Sequence, residues 1–138
     1  MRSIIIIFSI LFYSWGVSAG EKNQVSLDKT IKEYRVYSLA RCIGNNYKKM
    51  GVDFNKLPLT DNTVGFIDID MGLAFSAERN NELDKFIEVN TGYFYQPKQQ
   101  SGDLASINLV VYDCVDFYHS IELKRFLKEL IQKSETDL

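Results

Sequence analysis

One histidine, His119, and two cysteines, Cys42 and Cys114, are the side chains best suited to nucleophilic or metal chemistry in this chain. Cys114 with His119 is the sharpest pairing of nucleophile and general base. Five residues along a helix turn a side chain by about 140°, so the two point to different sides unless the helix breaks between them. Pairing Cys42 with His119 requires both cysteines to be reduced. A structural zinc ion takes four Cys or His ligands, and the chain has three such residues. Asp103, Asp113, Asp116 and Glu122 are carboxylates that acid and base work could use, but their spacing singles none of them out. The glycines are scattered, so no phosphate-cradling loop forms. The chain is therefore expected to hold no metal or cofactor and not to be an enzyme, and His119 is expected to cap or pack at a helix junction.

The cysteines gain meaning from the first residues of the chain. Met1 and Arg2 make a minimal positive start, Ile4 to Val17 is apolar, and Val17, Ser18 and Ala19 are small. This pattern predicts a signal peptide over 1–19, cleaved after Ala19, with one domain over 20–138 exported to the periplasm. The apolar run is 14 residues, short against the roughly 20 that a membrane span needs, and polar Glu21 to Gln24 follow it. Two cysteines in an exported chain read as a Cys42–Cys114 disulfide. Two buried thiols, or a catalytic one, are the alternatives. The closed loop of about 70 residues would restrain the unfolded chain by roughly 4 kcal/mol.

Removing the first 19 of 138 residues leaves 119, enough for one domain with a core and too few for two. It also removes Arg2, leaving 15 basic against 18 acidic residues. That balance gives no electrostatic footprint for nucleic acid. No second apolar run approaches spanning length, so no membrane partner is expected after cleavage.

The elements that must position these residues are helical: an all-α, single compact domain of about five helices. The first is predicted over Leu27–Met50, with Asp28 in its capping turn and Gly51 ending it. Its inward stripe includes Leu27, Ile31, Tyr34, Leu39, Cys42 or Ile43, Tyr47 and Met50. Lys32, Arg35, Arg41, Lys48 and Lys49 fall mostly off that stripe, on a face expected to be solvated. A short helix over Thr63–Ala74 is favoured over a strand, because Phe66 to Asp70 alternates but has no good partner strand. A third helix is expected over Ala77–Tyr95, with Gly92 as a potential interruption. A fourth runs over Leu104–Tyr118, capped by Asp103, with Leu104, Ile107, Val111, Cys114 or Val115, and Tyr118 inward. Ser120 then caps a fifth over Ile121–Lys133, with Leu123, Phe126, Leu127, Leu130 and Ile131 inward.

One run in this layout carries a resemblance. Cys114-Val115-Asp116-Phe117-Tyr118-His119-Ser120-Ile121-Glu122-Leu123 is similar to the C-x-D-x-Y-H-S-x-E-L signature of type VI secretion amidase immunity proteins, in the class that neutralises the fourth amidase effector family. Tyr37-Ser38-Leu39-Ala40-Arg41-Cys42-Ile43 through Tyr47 resembles that family's first-helix segment with its own cysteine, and the Ser101-Gly102 turn is similar as well. Asp116, Tyr118, His119 and Ser120 are the structural part of the signature. The likeness is close over the C-terminal run and loose elsewhere, and residues 52–95 depart most.

The resemblance implies a periplasmic, all-helical, non-catalytic inhibitor that forms a homodimer and binds a cognate peptidoglycan amidase effector. It further implies that the loop before the fourth helix plugs the amidase cleft. In this chain the loop is Pro97-Lys98-Gln99-Gln100-Ser101-Gly102-Asp103. From the residues alone it is a polar connection between two helical patterns, holding one of the two prolines. Proline limits its freedom before binding, the glutamines and serine can donate and accept hydrogen bonds, and Gly102 permits close backbone approach.

Overall fold

Thirty-one residues without a proline, Ala19–Lys49, form one continuous helix, α1, around which the other elements pack. The computed structural model describes residues 19–70, 82–103 and 105–136, so all but Ala19 of the expected signal peptide over 1–19 lies outside the described residues. After α1 come a short 3-10 turn at Phe54–Lys56, α2 at Thr63–Asp70, α3 at Glu82–Thr91, α4 at Val110–His119 and α5 at Ile121–Thr136. The described residues contain five α-helices and no strand, the all-α class expected from the sequence. None of these helices is long and apolar enough to cross a membrane.

α1 begins at Ala19 rather than at the expected Leu27. Asp28 therefore lies inside the helix instead of capping it, and the Thr30 hydroxyl already donates back to the Ser26 carbonyl at 3.0 Å. The other end is as expected. Gly51 has φ +88°, a left-handed conformation that costs glycine little. Its N–H donates to the Lys48 carbonyl, and the Val52 N–H to the Tyr47 carbonyl, both at 3.0 Å. This double closure satisfies the last carbonyls of the helix.

The buried face of α1 is Ile31, Tyr34, Tyr37, Ser38, Cys42 and Asn46. Leu27, Leu39, Ile43, Tyr47 and Met50 pack half-buried against it. Two polar residues, Ser38 and Asn46, thus stand in the core where the apolar pattern had placed none. The Ser38 hydroxyl donates to the Tyr34 carbonyl at 2.7 Å, which satisfies it without leaving the helix.

α2 is helical as favoured, and its expected continuation over 71–74 lies outside the described residues. Asp61 starts it, accepting the Thr63 N–H at 2.8 Å and the Thr63 hydroxyl at 2.6 Å. These bonds hold the Asp61 carboxyl below its ordinary range. α3 ends at Thr91, and residues 92–95 form turns rather than the last turn of a helix; residues 77–81 of the expected third helix lie outside the described residues.

The largest departure is at α4. It begins at Val110, not Leu104, and Asp103 is exposed and caps nothing. The Asn108 carboxamide oxygen takes the Val110 N–H at 3.3 Å, a donor that would otherwise extend the helix backward. The helix is also turned relative to the expected stripe. Val110, Cys114 and Phe117 face the core, while Ile107, Val111 and Val115 are exposed. α5 follows its expected face, with Leu123, Leu127, Leu130 and Ile131 buried and the Phe126 ring stacked on Phe86 of α3 at 3.9 Å.

Candidate functional site

Cys42 on α1 and Cys114 on α4 are joined by a disulfide, with Cα atoms 5.8 Å apart, and both residues are fully buried. The bond decides the rotation of α4 noted above, since it draws Cys114 rather than Val115 inward. It also occupies both sulfurs, so no free cysteine thiol stands beside His119. A disulfide is consistent with an oxidising compartment.

Downstream of Cys114 the motif residues have distinct surroundings. Phe117 is buried, and Asp116 is exposed beside the α4–α5 junction. The Ser120 hydroxyl oxygen accepts the Leu123 N–H at 3.1 Å, the N-cap expected of it. Arg35 reaches over from α1 and donates through Nε and Nη2 to the Tyr118 carbonyl at 2.8 and 2.5 Å. Its guanidinium carbon also lies 4.3 Å from the Tyr118 ring centroid. The junction is therefore held by Arg35, a residue assigned from sequence to the solvated face. His119 does not hold it: its side chain is exposed, hydrogen-bonds no described residue, and only meets the Tyr118 ring edge-on at 4.8 Å.

Two other cations of α1 are engaged as well. Arg41 Nε lies 3.3 Å from Asp84 Oδ1 and 3.2 Å from the Tyr37 hydroxyl, which itself donates to Asp84 at 3.0 Å. Burial pushes the Tyr37 hydroxyl up to about 12. Buried Asp68 shares this neighbourhood, and its Oδ1 has no hydrogen-bond partner among the described residues. Desolvation raises its carboxyl above the ordinary range, against the pull of Arg41 and with the push of Asp84. Lys49 pairs with Glu88 and donates to the Gly92 carbonyl at 2.6 Å. Lys32 and Lys48 are exposed, as expected of the set.

The loop Pro97–Asp103 is exposed at every residue. Gln99, Gln100 and Ser101 hydrogen-bond no described residue through their side chains. Gly102 takes φ +84°, and its carbonyl accepts the Ala105 N–H at 3.1 Å, closing a turn. Lys98 is the exception within the segment. Its ammonium lies 2.7 Å from Asp113 Oδ2 on α4 and 5.8 Å from the Phe94 ring centroid, so it ties the loop to the helix body. Beside it opens a groove of about 330 Å³ whose walls include Phe94, Asp113, Asp116 and Glu122.

Just before Pro97 the chain is rooted in Asn46, which is fully buried. Its amide nitrogen donates to the Cys42 carbonyl at 2.9 Å and to the Thr91 carbonyl at 3.0 Å, and its oxygen accepts the Tyr95 N–H at 2.9 Å. Sequence reasoning missed Asn46 and Arg35 because polar residues are assigned outward by default. A signal existed for Asn46, which continues the four-residue steps Tyr34, Ser38 and Cys42 along one helix face. Among the described residues no group of three or more His, Cys, Asp or Glu side chains is placed to hold a metal ion. Compared with protein-family models, with curated proteins and with solved structures, the chain finds no match.

Proposed function

We propose that this chain is a periplasmic immunity protein, with its leader cleaved after Ala19, that binds and occludes the active site of a cognate type VI secretion peptidoglycan amidase effector. It acts without catalysis and as a homodimer, and the segment that enters the amidase cleft is Pro97–Asp103. The observation that carries this reading is the exposed loop anchored at its N-terminal end, by Asn46 at Tyr95 and by Lys98 at Asp113, upstream of the helix bearing the family-like motif. Exposed amide and hydroxyl groups at Gln99, Gln100 and Ser101 suit a polar cleft, and a fixed N-terminal root lowers the ordering cost of binding. Occlusion needs only shape and hydrogen bonds from the inhibitor, which suits a chain whose two cysteine sulfurs are buried in a disulfide.

The test is a pull-down from periplasmic extract of effector-producing cells, followed by titration of the recovered hydrolase with purified protein. The expected result is capture of one peptidoglycan amidase and stoichiometric loss of its activity. Capture of an envelope protein without hydrolase activity would instead make the chain a scaffold, and cleavage of peptidoglycan by the chain itself would make it a hydrolase.

A further inference from the structure

Asn46 is a buried side chain that bonds α1, the end of α3 and the start of the loop at once. Both hydrogens of its amide and its oxygen are used, at 2.9 to 3.0 Å. The Thr91 carbonyl to which it donates belongs to the last residue of α3 and also accepts the Phe94 N–H at 3.0 Å, so helix end and turn meet at one oxygen. The Tyr95 N–H it accepts lies two residues before Pro97, where the chain must leave the helical body. Because Asn46 bonds the two backbone groups together, the turn over 92–95 is closed against α1 rather than free to extend α3 or to swing outward. The neighbouring Lys49–Gly92 bond lies on the surface, whereas Asn46 acts from within the core. A hydrophobic residue of similar size would fill the space but leave the Tyr95 N–H without its acceptor and the Thr91 carbonyl with only the Phe94 N–H.

We propose that Asn46 is the positioning residue of the Pro97–Asp103 loop: its carboxamide sets the direction in which the loop leaves α3 and so presents Gln99, Gln100 and Ser101 to the partner. The inhibitory half of this statement rests on the reading given under Proposed function; the conformational half does not.

Hydrogen exchange on the full-length, disulfide-bonded protein tests it. In the wild type the Tyr95 amide should be protected at least about tenfold over those of Gln99, Gln100 and Ser101, because it ends on a buried acceptor. Asn46→Ala should cut protection across 92–96 by at least about tenfold more than at Cys114 and Leu127, which report global opening. Asn46→Asp keeps the acceptor for Tyr95 but turns a carboxylate toward the Cys42 and Thr91 carbonyls. Lowering the pH protonates that group and returns one donor, so protection of the root should recover as pH falls in Asn46→Asp and not in Asn46→Ala. Amidase affinity of folded Asn46→Ala should fall at least about tenfold. The proposal is overturned if wild-type Tyr95 exchanges as fast as Gln99, an outcome that needs no variant to fold. It is equally overturned if the variants loosen 92–96 no more than Cys114, or if folded Asn46→Ala binds the amidase like wild type. Wild-type protein that binds no amidase would remove the inhibitory reading alone, and the exchange data would then decide whether Asn46 sets the loop.

Discussion

Arg35, in the middle of α1, caps the far end of α4: its guanidinium donates twice to the Tyr118 carbonyl and lies against the Tyr118 ring. Helix ends leave carbonyls without internal partners, and here a side chain 83 positions earlier in the sequence supplies the donors. Arg35→Ala should cost about 1.5 to 3 kcal/mol, the range for hydrogen bonds to a charged group. Arg35→Lys should recover only part of this, because an ammonium cannot reproduce the planar two-nitrogen fork. His119→Ala, at an exposed position, should stay within about 0.5 kcal/mol of wild type. Urea denaturation of the three variants measures the ranking, and a larger loss at His119 than at Arg35 would contradict it.

The disulfide spans a sequence separation of 72. Replacing both Cys42 and Cys114 by Ala should destabilise the fold by roughly 4 kcal/mol in the chain-entropy model. Mass spectrometry of non-reduced peptides from periplasmically produced protein should find a single Cys42–Cys114 cross-link. Two free thiols in that sample would show that the helices α1 and α4 are held by packing alone.

Replacing Lys98 to Ser101 with a Gly-Ser segment should leave the helical circular dichroism unchanged. It also removes the Lys98–Asp113 pair, whose Lys98 side chain is half exposed, and such a pair is worth up to about 1 kcal/mol. Thermal denaturation should therefore show a small loss. Amidase binding should weaken at least about tenfold, or 1.4 kcal/mol. Unchanged affinity in calorimetry would move the inhibitory surface away from this loop.

Asp68 predicts a pH dependence of definite sign. Burial raises its carboxyl in the folded chain, so between its ordinary value and the raised one the folded state holds more protons than the unfolded state. Stability from this group is therefore full at low pH and is lost as pH rises through that window. Asp68→Asn stays neutral throughout, so its stability relative to wild type should grow as pH rises across the window. Melting temperatures of both proteins from acid to neutral pH give the comparison, and a difference that shrinks with rising pH would reverse the assignment.

Ser120 is the simplest helix cap to test. Ser120→Ala removes the acceptor of the Leu123 N–H and should cost about 1 kcal/mol. Ser120→Asp, which keeps an oxygen acceptor and adds a charge favourable at a helix start, should restore most of it. Equal stability of Ser120→Ala and wild type would mean that water replaces the cap at no cost.

The sequence by itself determined the helical class, the cap at Ser120, the left-handed stop at Gly51, the inward face of α5 and the partnership of two cysteines. These follow from local rules: a spacing of three and four residues, a side chain within reach of its own helix end, and a glycine where φ must be positive. It also marked Pro97–Asp103 as an exposed polar connection. Tertiary structure decided the rest. The rotation of α4 turned on which of Cys114 and Val115 faces in, a choice the periodicity left open and the disulfide to Cys42 makes. The start of α4 moved to Val110 because Asn108 competes for its N–H. Arg35, Arg41 and Asn46 were hidden for one reason: their partners, Tyr118, Asp84 and the Thr91 and Tyr95 backbone, lie 43 to 83 positions away. A polar side chain looks solvated until the fold brings it a buried carbonyl or carboxylate, and no periodicity along one helix encodes what another helix will place against it.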